Sequence, residues 1–422
     1  MNSSRPIRVV FLSFYFEAWD ALADIYRLML ADPRFEPTVI SIPRRLTGET
    51  TYSGEDRVSE FYDSQNIEHL RFDFEDSMVG LEKLRAMQPD YVFLNYPWQR
   101  NYQPGYRAEA LSEFTKVCQV PYYSFALVNE PGIDDVAPYL YTQRSHQLAS
   151  LIFTQDAATK EAFDITERGS SYVHFTGSPK IDALAAKATE EPQWPLDGDG
   201  YRILWAPHHS YAPTWLNFGT FAGMREAMLD FARNHTDVQV VFRPHPFLFG
   251  TMLDRGLMTA DEILAWRTSW DALPNTATDD SSNYVPQFLA CDLMLCDGIS
   301  FLGEYPLVTG KPAVFLERED HWKFSSLGET IAATSVRFGS FAQFEAAFES
   351  IRRNGLPDRS SEIETFLKAA RPFPNQAARK IVEAVVSDFP SPLVDPKSAT
   401  AQTWEQGAEL RRAAGAAPAQ PQ

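Results

Sequence analysis

Cysteine is scarce in this sequence. It has three, Cys118, Cys291 and Cys296, which are too few for a disulfide framework and lack the paired spacing of a zinc site. Cys291 and Cys296 flank a short apolar run that is typical of a buried strand, so we expect both to pack as small apolar side chains. The fold must therefore depend on its hydrophobic cores.

Basic charge and long apolar runs are also lacking. The chain has 38 basic and 56 acidic residues, a net charge of −18, and shows no basic stripe of the kind that nucleic acids require. No stretch approaches the roughly 18 apolar residues of a membrane-spanning helix. The first apolar run, Ile7–Leu12, contains Arg8 and is too short for a signal peptide. The sequence predicts a cytoplasmic protein without a nucleic-acid partner, and leaves peripheral association with the inner face of the membrane open.

Short apolar runs alternate with amphipathic stretches in the first half of the 422 residues. The runs predicted as strands are Ile7–Phe14, Thr38–Ile42, Tyr91–Asn95, Tyr122–Ala126, Leu151–Thr154 and Tyr172–Phe175. Helical patterns cover Ala18–Ala31 and Tyr106–Lys116. Because the strands are apolar on both faces and alternate with helices, we expect a parallel sheet covered on both sides.

The pattern breaks at residues 190–200, which are rich in proline, glycine and acids and have the character of a linker. Beyond it, strands are predicted at Arg202–Ala206, Val238–Phe242, Leu293–Cys296 and Ala313–Leu316, and helices at Phe218–Asn234 and Phe301–Val308. The predicted fold is α/β, with two doubly wound Rossmann-like domains, residues 1–190 and 200–375, that face a cleft. Residues 376–397 would close the fold with a helix near Ala377–Ser387, and 398–422 would be a mobile tail.

Polar side chains follow three predicted strands of the second half, where parallel sheets bind ligands. The candidates for binding a nucleotide-activated donor are His208, His209, Ser210, Arg243, His245, Asp297, Gly298, Ser300 and Glu304. Imidazoles and a guanidinium can donate to a pyrophosphate, and a glycine-led turn into a helix presents free N–H groups to the same anion. Ser300 adds a hydroxyl, and Glu304 can accept from ribose hydroxyls. Taken singly, a histidine after a strand is more often a capping or packing residue, Asp297-Gly298 is an ordinary turn and Ser300 is an ordinary helix cap.

Four segments, Phe175–Asp182, Trp205–Ser210, Arg243–Pro246 and Asp292–Leu316, resemble the CDP-glycerol:poly(glycerophosphate) glycerophosphotransferase family. These are teichoic-acid and capsule polymerases and primases with a GT-B fold, and the resemblance covers roughly residues 150–320. It implies a GT-B-like fold with the acceptor on the first domain and a CDP-activated donor on the second. It also implies that Arg243 and His245 contact donor phosphate and that Glu304 lies at the ribose. Asp297 and Ser300 would belong to a phosphate loop in which Ile299 replaces a serine.

The sequence departs from this family at the expected base. Family members that polymerise teichoic acid carry a Trp-His-Gly-Thr motif, whereas residues 124–132 here read Ser-Phe-Ala-Leu-Val-Asn-Glu-Pro-Gly. The candidate bases are therefore Glu130, Glu17 and Asp20, each of which is also typical of a helix cap or a solvated acid. The aromatic segment Tyr96–Tyr102 suits a sugar or polyol phosphate, or simply wall packing.

The leading hypothesis is transfer of glycerol phosphate, or a related polyol phosphate, from a CDP-activated donor to a glycan or lipid-linked precursor of the cell surface. The alternatives are a sugar-nucleotide-dependent GT-B glycosyltransferase or 2-epimerase, and a non-catalytic member of a capsule assembly complex. The donor half lacks an Asp-x-Asp motif, so neither a metal nor another cofactor is expected. Asp279 and Asp280 are predicted to be solvated loop acids.

Overall fold

The computed structural model describes residues 5–45, 49–128, 143–164, 168–213, 216–281, 283–389 and 391–393. The chain forms two compact units. The N-terminal unit comprises residues 1–124, 131–183 and 370–422, and the C-terminal unit comprises 125–130 and 184–369. The domain boundaries and the cleft expected from the sequence stay predictions, and the tail predicted at 398–422 lies outside the described residues.

The N-terminal unit is built on a seven-stranded sheet in which every described strand pair is parallel. Its strands are β1 Ile7–Ser13, β2 Phe35–Ser41, β3 His69–Arg71, β4 Tyr91–Leu94, β5 Lys116–Gln119, β6 Leu151–Thr154 and β7 Val173–Phe175. The order β3-β2-β1-β4-β5-β6-β7 reverses between β1 and β4. Both faces of the central strands are apolar and buried, which is why the sheet needs helices on each side.

Helices follow most of these strands. They are α1 Ala23–Leu30, α2 Glu55–Ser64, α3 Ser77–Met87, α4 Ala108–Leu111, α5 Arg144–Leu148, α6 Ala157–Asp164 and α7 Pro179–Ala186, with 3₁₀ turns at Phe16–Ala21, Gln99–Asn101, Pro104–Tyr106 and Lys187–Thr189. The helix predicted over Ala18–Ala31 begins later than expected: Ala18 departs from helical geometry within the 3₁₀ turn Phe16–Ala21, and α1 begins only at Ala23. The helix predicted over Tyr106–Lys116 is wrong beyond α4, because Lys116 already begins β5.

The strand predicted at Tyr122–Ala126 is also wrong. The strand that pairs with β4 is β5, at Lys116–Gln119, and residues 122–124 form a bend. The apolar residues after the bend are buried elsewhere: Phe125 packs on Phe366 of the C-terminal unit. Val128 forms an antiparallel bridge with Phe324 there. An apolar run that crosses from one core to another looks like a buried strand when only the sequence is read.

The C-terminal unit contains a six-stranded, all-parallel sheet of order β10-β9-β8-β11-β12-β13. Its strands are β8 Tyr201–Ala206, β9 Val238–Phe242, β10 Thr276–Thr278, β11 Leu293–Cys296, β12 Val314–Leu316 and β13 Val336–Phe338. Its helices are α8 Phe221–Asn234, α9 Leu248–Asp254, α10 Ala260–Asp271, α11 Val285–Ala290, α12 Ile299–Thr309, α13 Ser326–Ala332, α14 Phe341–Asn354 and α15 Ser360–Ala370. The four strands predicted for this half are present to within one residue at either end.

Aromatic packing fills the core of the C-terminal unit. The Trp205 ring on β8 lies 4.8 Å from Phe242 and 5.6 Å from Phe221 between ring centroids, and Trp266 and Trp270 complete the group. These large buried rings fix the central strands whose ends carry the polar segments. Residues 190–200 are irregular, as predicted, but they are anchored on this unit, because Gln193 N donates to the Pro286 carbonyl at 3.1 Å.

The last described helix, α16, Ala377–Asp388, completes the core of the N-terminal unit. Its Ile381 and Val385 are fully buried among residues of β1 and α1. At its end, Asp388 forms an ion pair with Lys116 Nζ at 2.7 Å and accepts from the Tyr91 hydroxyl at 2.8 Å. The helix predicted to close the fold is therefore present and is tied to the first sheet. No described helix is long and apolar enough to cross a membrane.

Candidate functional site

The three polar segments predicted from the sequence lie at one edge of the C-terminal sheet. The strand order of this sheet reverses between β8 and β11. Residues 207–210 follow β8, residues 243–245 follow the neighbouring β9, and Asp297 and Gly298 connect β11 to α12. A reversal of strand order opens a crevice at the carboxyl ends of parallel strands, and this is the usual ligand position in such sheets.

Asp297 holds this edge together. Its Oδ1 accepts from the His208 main-chain N–H at 2.5 Å, and its Oδ2 accepts from the N–H and hydroxyl of Thr220 at 2.5 and 2.7 Å. The side chain is buried, and burial raises its pKa to about 7 despite these hydrogen bonds. Because its oxygens face protein donors, Asp297 positions His208 and the start of α8 and is poorly placed to contact an anion.

Three histidine rings lie together beside Asp297. The rings of His209 and His245 stack with centroids 3.9 Å apart, and His208 lies 4.8 and 5.1 Å from them. Burial lowers the pKa of all three, that of His209 to about 4. The three imidazoles are therefore neutral at pH 7, and they offer hydrogen bonds rather than positive charge.

Main-chain contacts assign the tautomers of two of these rings. The Ser210 N–H points at Nδ1 of His208 and the Phe247 N–H points at Nδ1 of His245, each at 3.2 Å. A ring nitrogen that accepts a hydrogen bond carries the lone pair, so the proton of the neutral ring is on Nε2. His208 and His245 therefore present Nε2–H donors.

The same histidines are close enough to be considered as metal ligands, because one ring nitrogen from each lies within 4.8 Å of the others. A metal bound through Nε2 would need the lone pair there and a proton on Nδ1 that is donated to an acceptor. In His208 and His245, Nδ1 receives an N–H instead. The hydrogen bonding thus favours an anion over a metal, and the absence of a metal stays a prediction.

Gly298 allows the close approach of α12 to the histidines. A Cβ added there would lie 2.8 Å from the Cβ of His208, although the backbone φ of −110° suits any residue. Gly298 is the N-cap of the eleven-residue α12, and it provides no side-chain cap. The first-turn N–H groups are therefore available to an anion, and Ser300 is exposed in that turn.

Arg243 is held by the segment that follows β10. It forms an ion pair with Asp279, and its guanidinium donates to the Ser281 carbonyl at 2.6 Å. Asp279 is buried, so the prediction that it is solvated is wrong; the fixed guanidinium explains its burial. Because its charge is balanced, Arg243 adds less positive potential than predicted, and its contact with phosphate stays a prediction.

Glu304 lies one turn along α12 from Ser300. It is buried, and its Oε2 accepts from the Tyr284 hydroxyl at 2.6 Å. The guanidinium of Arg243 lies 5.2 Å from the centroid of the Tyr284 ring. Tyr284 thus lies in contact with both Glu304 and Arg243, two of the predicted site residues. The sequence does not predict the roles of Tyr284 and Thr220 or the pairing of Asp279 with Arg243, since none of the three follows a strand predicted from the sequence.

The candidate bases belong to different surroundings. Glu130 lies outside the described residues. Glu17 forms an ion pair with Arg44 at 2.8 Å. Asp20 has its buried Oδ1 without a hydrogen-bond partner among the described residues and 3.8 Å from Lys180 Nζ. Both described acids are therefore ion-paired, Glu17 more closely than Asp20, and the role of either as a base stays a prediction. Lys180 lies in the segment Phe175–Asp182, and the sequence does not predict its pairing with Asp20.

The aromatic segment Tyr96–Tyr102 is mainly internal. Tyr102 is fully buried, and Tyr96 packs within 4.7 Å of Tyr122 and 4.9 Å of Tyr15 between ring centroids. Burial raises the pKa of Tyr15 and Tyr96 above the ordinary range. For these tyrosines the structure favours wall packing, the second of the two readings of the segment.

No family model matches the chain, and no curated protein matches it. Solved structures do. The UDP-GlcNAc 2-epimerase from Neisseria meningitidis, bound to UDP-GlcNAc, is 13% identical with a TM-score of 0.59, covering 90% of this chain and 100% of that one. The S. aureus MnaA–UDP co-structure is 14% identical with a TM-score of 0.58, covering 92% and 98%. The wall teichoic acid polymerase TagF is 13% identical with a TM-score of 0.55, covering 92% and 89%.

At such low identities the similarity establishes the fold alone. The chain has a GT-B-like fold with two parallel-sheet, Rossmann-like α/β domains, as in the 2-epimerases and TagF. The fold class predicted from the sequence is thereby confirmed.

Proposed function

We propose that the C-terminal unit binds a nucleotide-activated donor and that the protein transfers glycerol phosphate, or a related polyol phosphate, from a CDP-activated donor such as CDP-glycerol to a hydroxyl of a glycan or lipid-linked acceptor. The observation that carries the proposal is the pair of Nε2–H donors beside the uncapped start of α12. Neutral donors at a helix N-terminus suit a diphosphate. The motif resemblance supports the CDP-linked donor.

In the proposed reaction, an acceptor oxygen attacks the phosphorus that bears the polyol. The bond between this phosphorus and the bridging oxygen of the diphosphate breaks, and CMP leaves. Negative charge grows on the CMP phosphate, where His208, His245 and the first turn of α12 can stabilise it. The acceptor proton passes to a carboxylate, and Asp20 is the described acid best suited to take it.

A second candidate is a sugar-nucleotide enzyme, either a glycosyltransferase or a 2-epimerase. Its support is that several solved structures of this fold are UDP-GlcNAc 2-epimerases, including one bound to UDP-GlcNAc. A non-catalytic role in capsule assembly is the third alternative. Turnover of CDP-glycerol by the purified protein separates the first candidate from the third.

The donor site is tested by His245→Ala. Loss of a hydrogen bond to a charged phosphate costs about 1.5–3 kcal/mol, so the Kd for CDP should rise roughly tenfold to a hundredfold by isothermal titration calorimetry. His235→Ala is the matched control, because the His235 ring bonds to the Phe231 carbonyl within its own helix end. Unchanged affinity in His245→Ala would show that this ring only packs. A wild-type preference for UDP would favour the second candidate.

A further inference from the structure

An open cleft of about 420 Å³ lies in the C-terminal unit, between the irregular segment before β8 and the residues that follow β10. It is lined by Glu190, Glu191, Gln193, Ser281, Asn283, Pro286 and Gln287. Its volume falls within the range of small-molecule sites, roughly 300–1,000 Å³.

The cleft adjoins the donor site through two contacts. Ser281, on its wall, receives a hydrogen bond from Arg243 at the end of β9. Asn283, also on its wall, precedes Tyr284, whose hydroxyl donates to Glu304. For a nucleotide with its diphosphate at α12 and its ribose at Glu304, this cleft is the neighbouring space, reached through Tyr284 and Asn283.

The charged side chains of the lining are both hydrogen-bond acceptors. Glu190 and Glu191 contribute carboxylates, and the buried Oε1 of Gln287 has no hydrogen-bond partner within the described ranges. Asn283 Nδ2 donates to Glu190 at 2.8 Å, which fixes the Glu190 carboxylate against the wall. A buried acceptor without a donor is costly, so the cleft suits a ligand that brings N–H groups.

We infer that this cleft binds the nucleobase of the donor and that its carboxylates select cytosine over uracil. Cytosine presents an exocyclic amino group that carboxylates accept from, whereas uracil presents a carbonyl oxygen at the same position. An oxygen facing Glu190 or Glu191 would be repelled. The inference rests on the proposed donor site and adds to it the carboxylates that distinguish the nucleobase.

The test measures the affinities of CDP, UDP and inorganic pyrophosphate by calorimetry. The wild-type protein should prefer CDP to UDP by about tenfold or more, the usual size of a base-specific contact. Glu191→Gln and Glu190→Gln replace an acceptor with an amide that can also donate to the uracil oxygen. In the double variant the preference should fall to about threefold or less, with pyrophosphate affinity unchanged. Glu345→Gln, at an exposed position of α14, is the matched control.

The outcomes separate the two proposals. Equal affinities for CDP and UDP in the wild type, or a CDP preference that survives the double variant, would overturn the base assignment. Pyrophosphate binding that is lost in His245→Ala would then leave the donor site standing. A wild-type protein that binds neither CDP nor pyrophosphate would overturn both. A stronger preference for ADP or GDP than for CDP would also overturn the cytosine assignment.

Discussion

Substitution of Gly298 by alanine tests whether His208 serves the ligand or only the fold. The backbone φ of −110° at Gly298 is open to alanine, so the variant strains no dihedral angle. The added methyl would instead lie 2.8 Å from Cβ and 3.0 Å from Cδ2 of His208. Because the Cβ of His208 is bonded to its own backbone, His208 can move away from the added methyl only if its main chain shifts.

That main chain is fixed. The His208 N–H bonds to Asp297 at 2.5 Å, and its ring bonds to Ser210. Forcing an extra methyl into packed surroundings costs about 1–3 kcal/mol of folding free energy. If the imidazole shifts enough to lose its hydrogen bond to phosphate, a further 1.5–3 kcal/mol of binding free energy is lost, which raises the Kd of a nucleoside diphosphate roughly tenfold to a hundredfold.

The assay combines urea denaturation with calorimetric titration of CDP, for Gly298→Ala and for Gly223→Ala. A Cβ at Gly223, in α8, would meet nothing within 4 Å, so this control should gain up to about 1 kcal/mol of helix stability and bind CDP normally. If Gly298→Ala loses stability but keeps its affinity, His208 does not contact the ligand. If it loses neither, the close approach of Gly298 and His208 is wrong.

Two further predictions concern the N-terminal unit. Asp20→Asn should lower turnover of CDP-glycerol by about 10²–10⁴-fold with donor affinity preserved. Glu17→Gln should keep most of the rate, because the Glu17 carboxylate is paired with Arg44. Equal losses for the two variants in initial-rate measurements would contradict this prediction. Burial lowers the pKa of His146 from 6.5 to about 3. Below pH 6.5 the unfolded chain therefore binds a proton at His146 that the native state does not bind, and the free energy of unfolding falls as the pH falls. Between pH 7 and 5 this loss is about 2 kcal/mol, and His146→Phe should lose that much less in urea denaturation; an equal loss would show that His146 is solvated.

The sequence predicts four of the six strands of the C-terminal unit well, because each is a short and mainly apolar run. It does not predict β10 and β13, because each has only three residues and includes polar side chains. The polar residues that follow β8, β9 and β11 meet for the same reason, since parallel strands end at one edge of the sheet. The local sequence pattern is therefore sufficient to predict most residues of this site. The pairing of Arg243 with Asp279 is different, because it joins residues 36 positions apart and depends on the placement of β10 beside β9.

The wrong prediction of a strand at Tyr122–Ala126 has a nonlocal physical cause. The run that includes Phe125 is apolar because it packs in the C-terminal core, yet its sequence neighbours belong to the first sheet. Its burial is decided by tertiary contacts more than 170 residues away, and periodicity carries no information on them. The approach of Asp20 to Lys180 is equally nonlocal.

The position of α16 has a consequence for biosynthesis. Domains fold as units while the ribosome extends the chain from the N-terminus. The C-terminal unit has all of its residues once position 369 is made. The sheet made first, however, still lacks Ile381, Val385 and the carboxylate partner of Lys116. The unit that is translated first is therefore the last to complete its core, and a chain that ends early leaves an apolar face of β1 and α1 for chaperones and proteases to recognise.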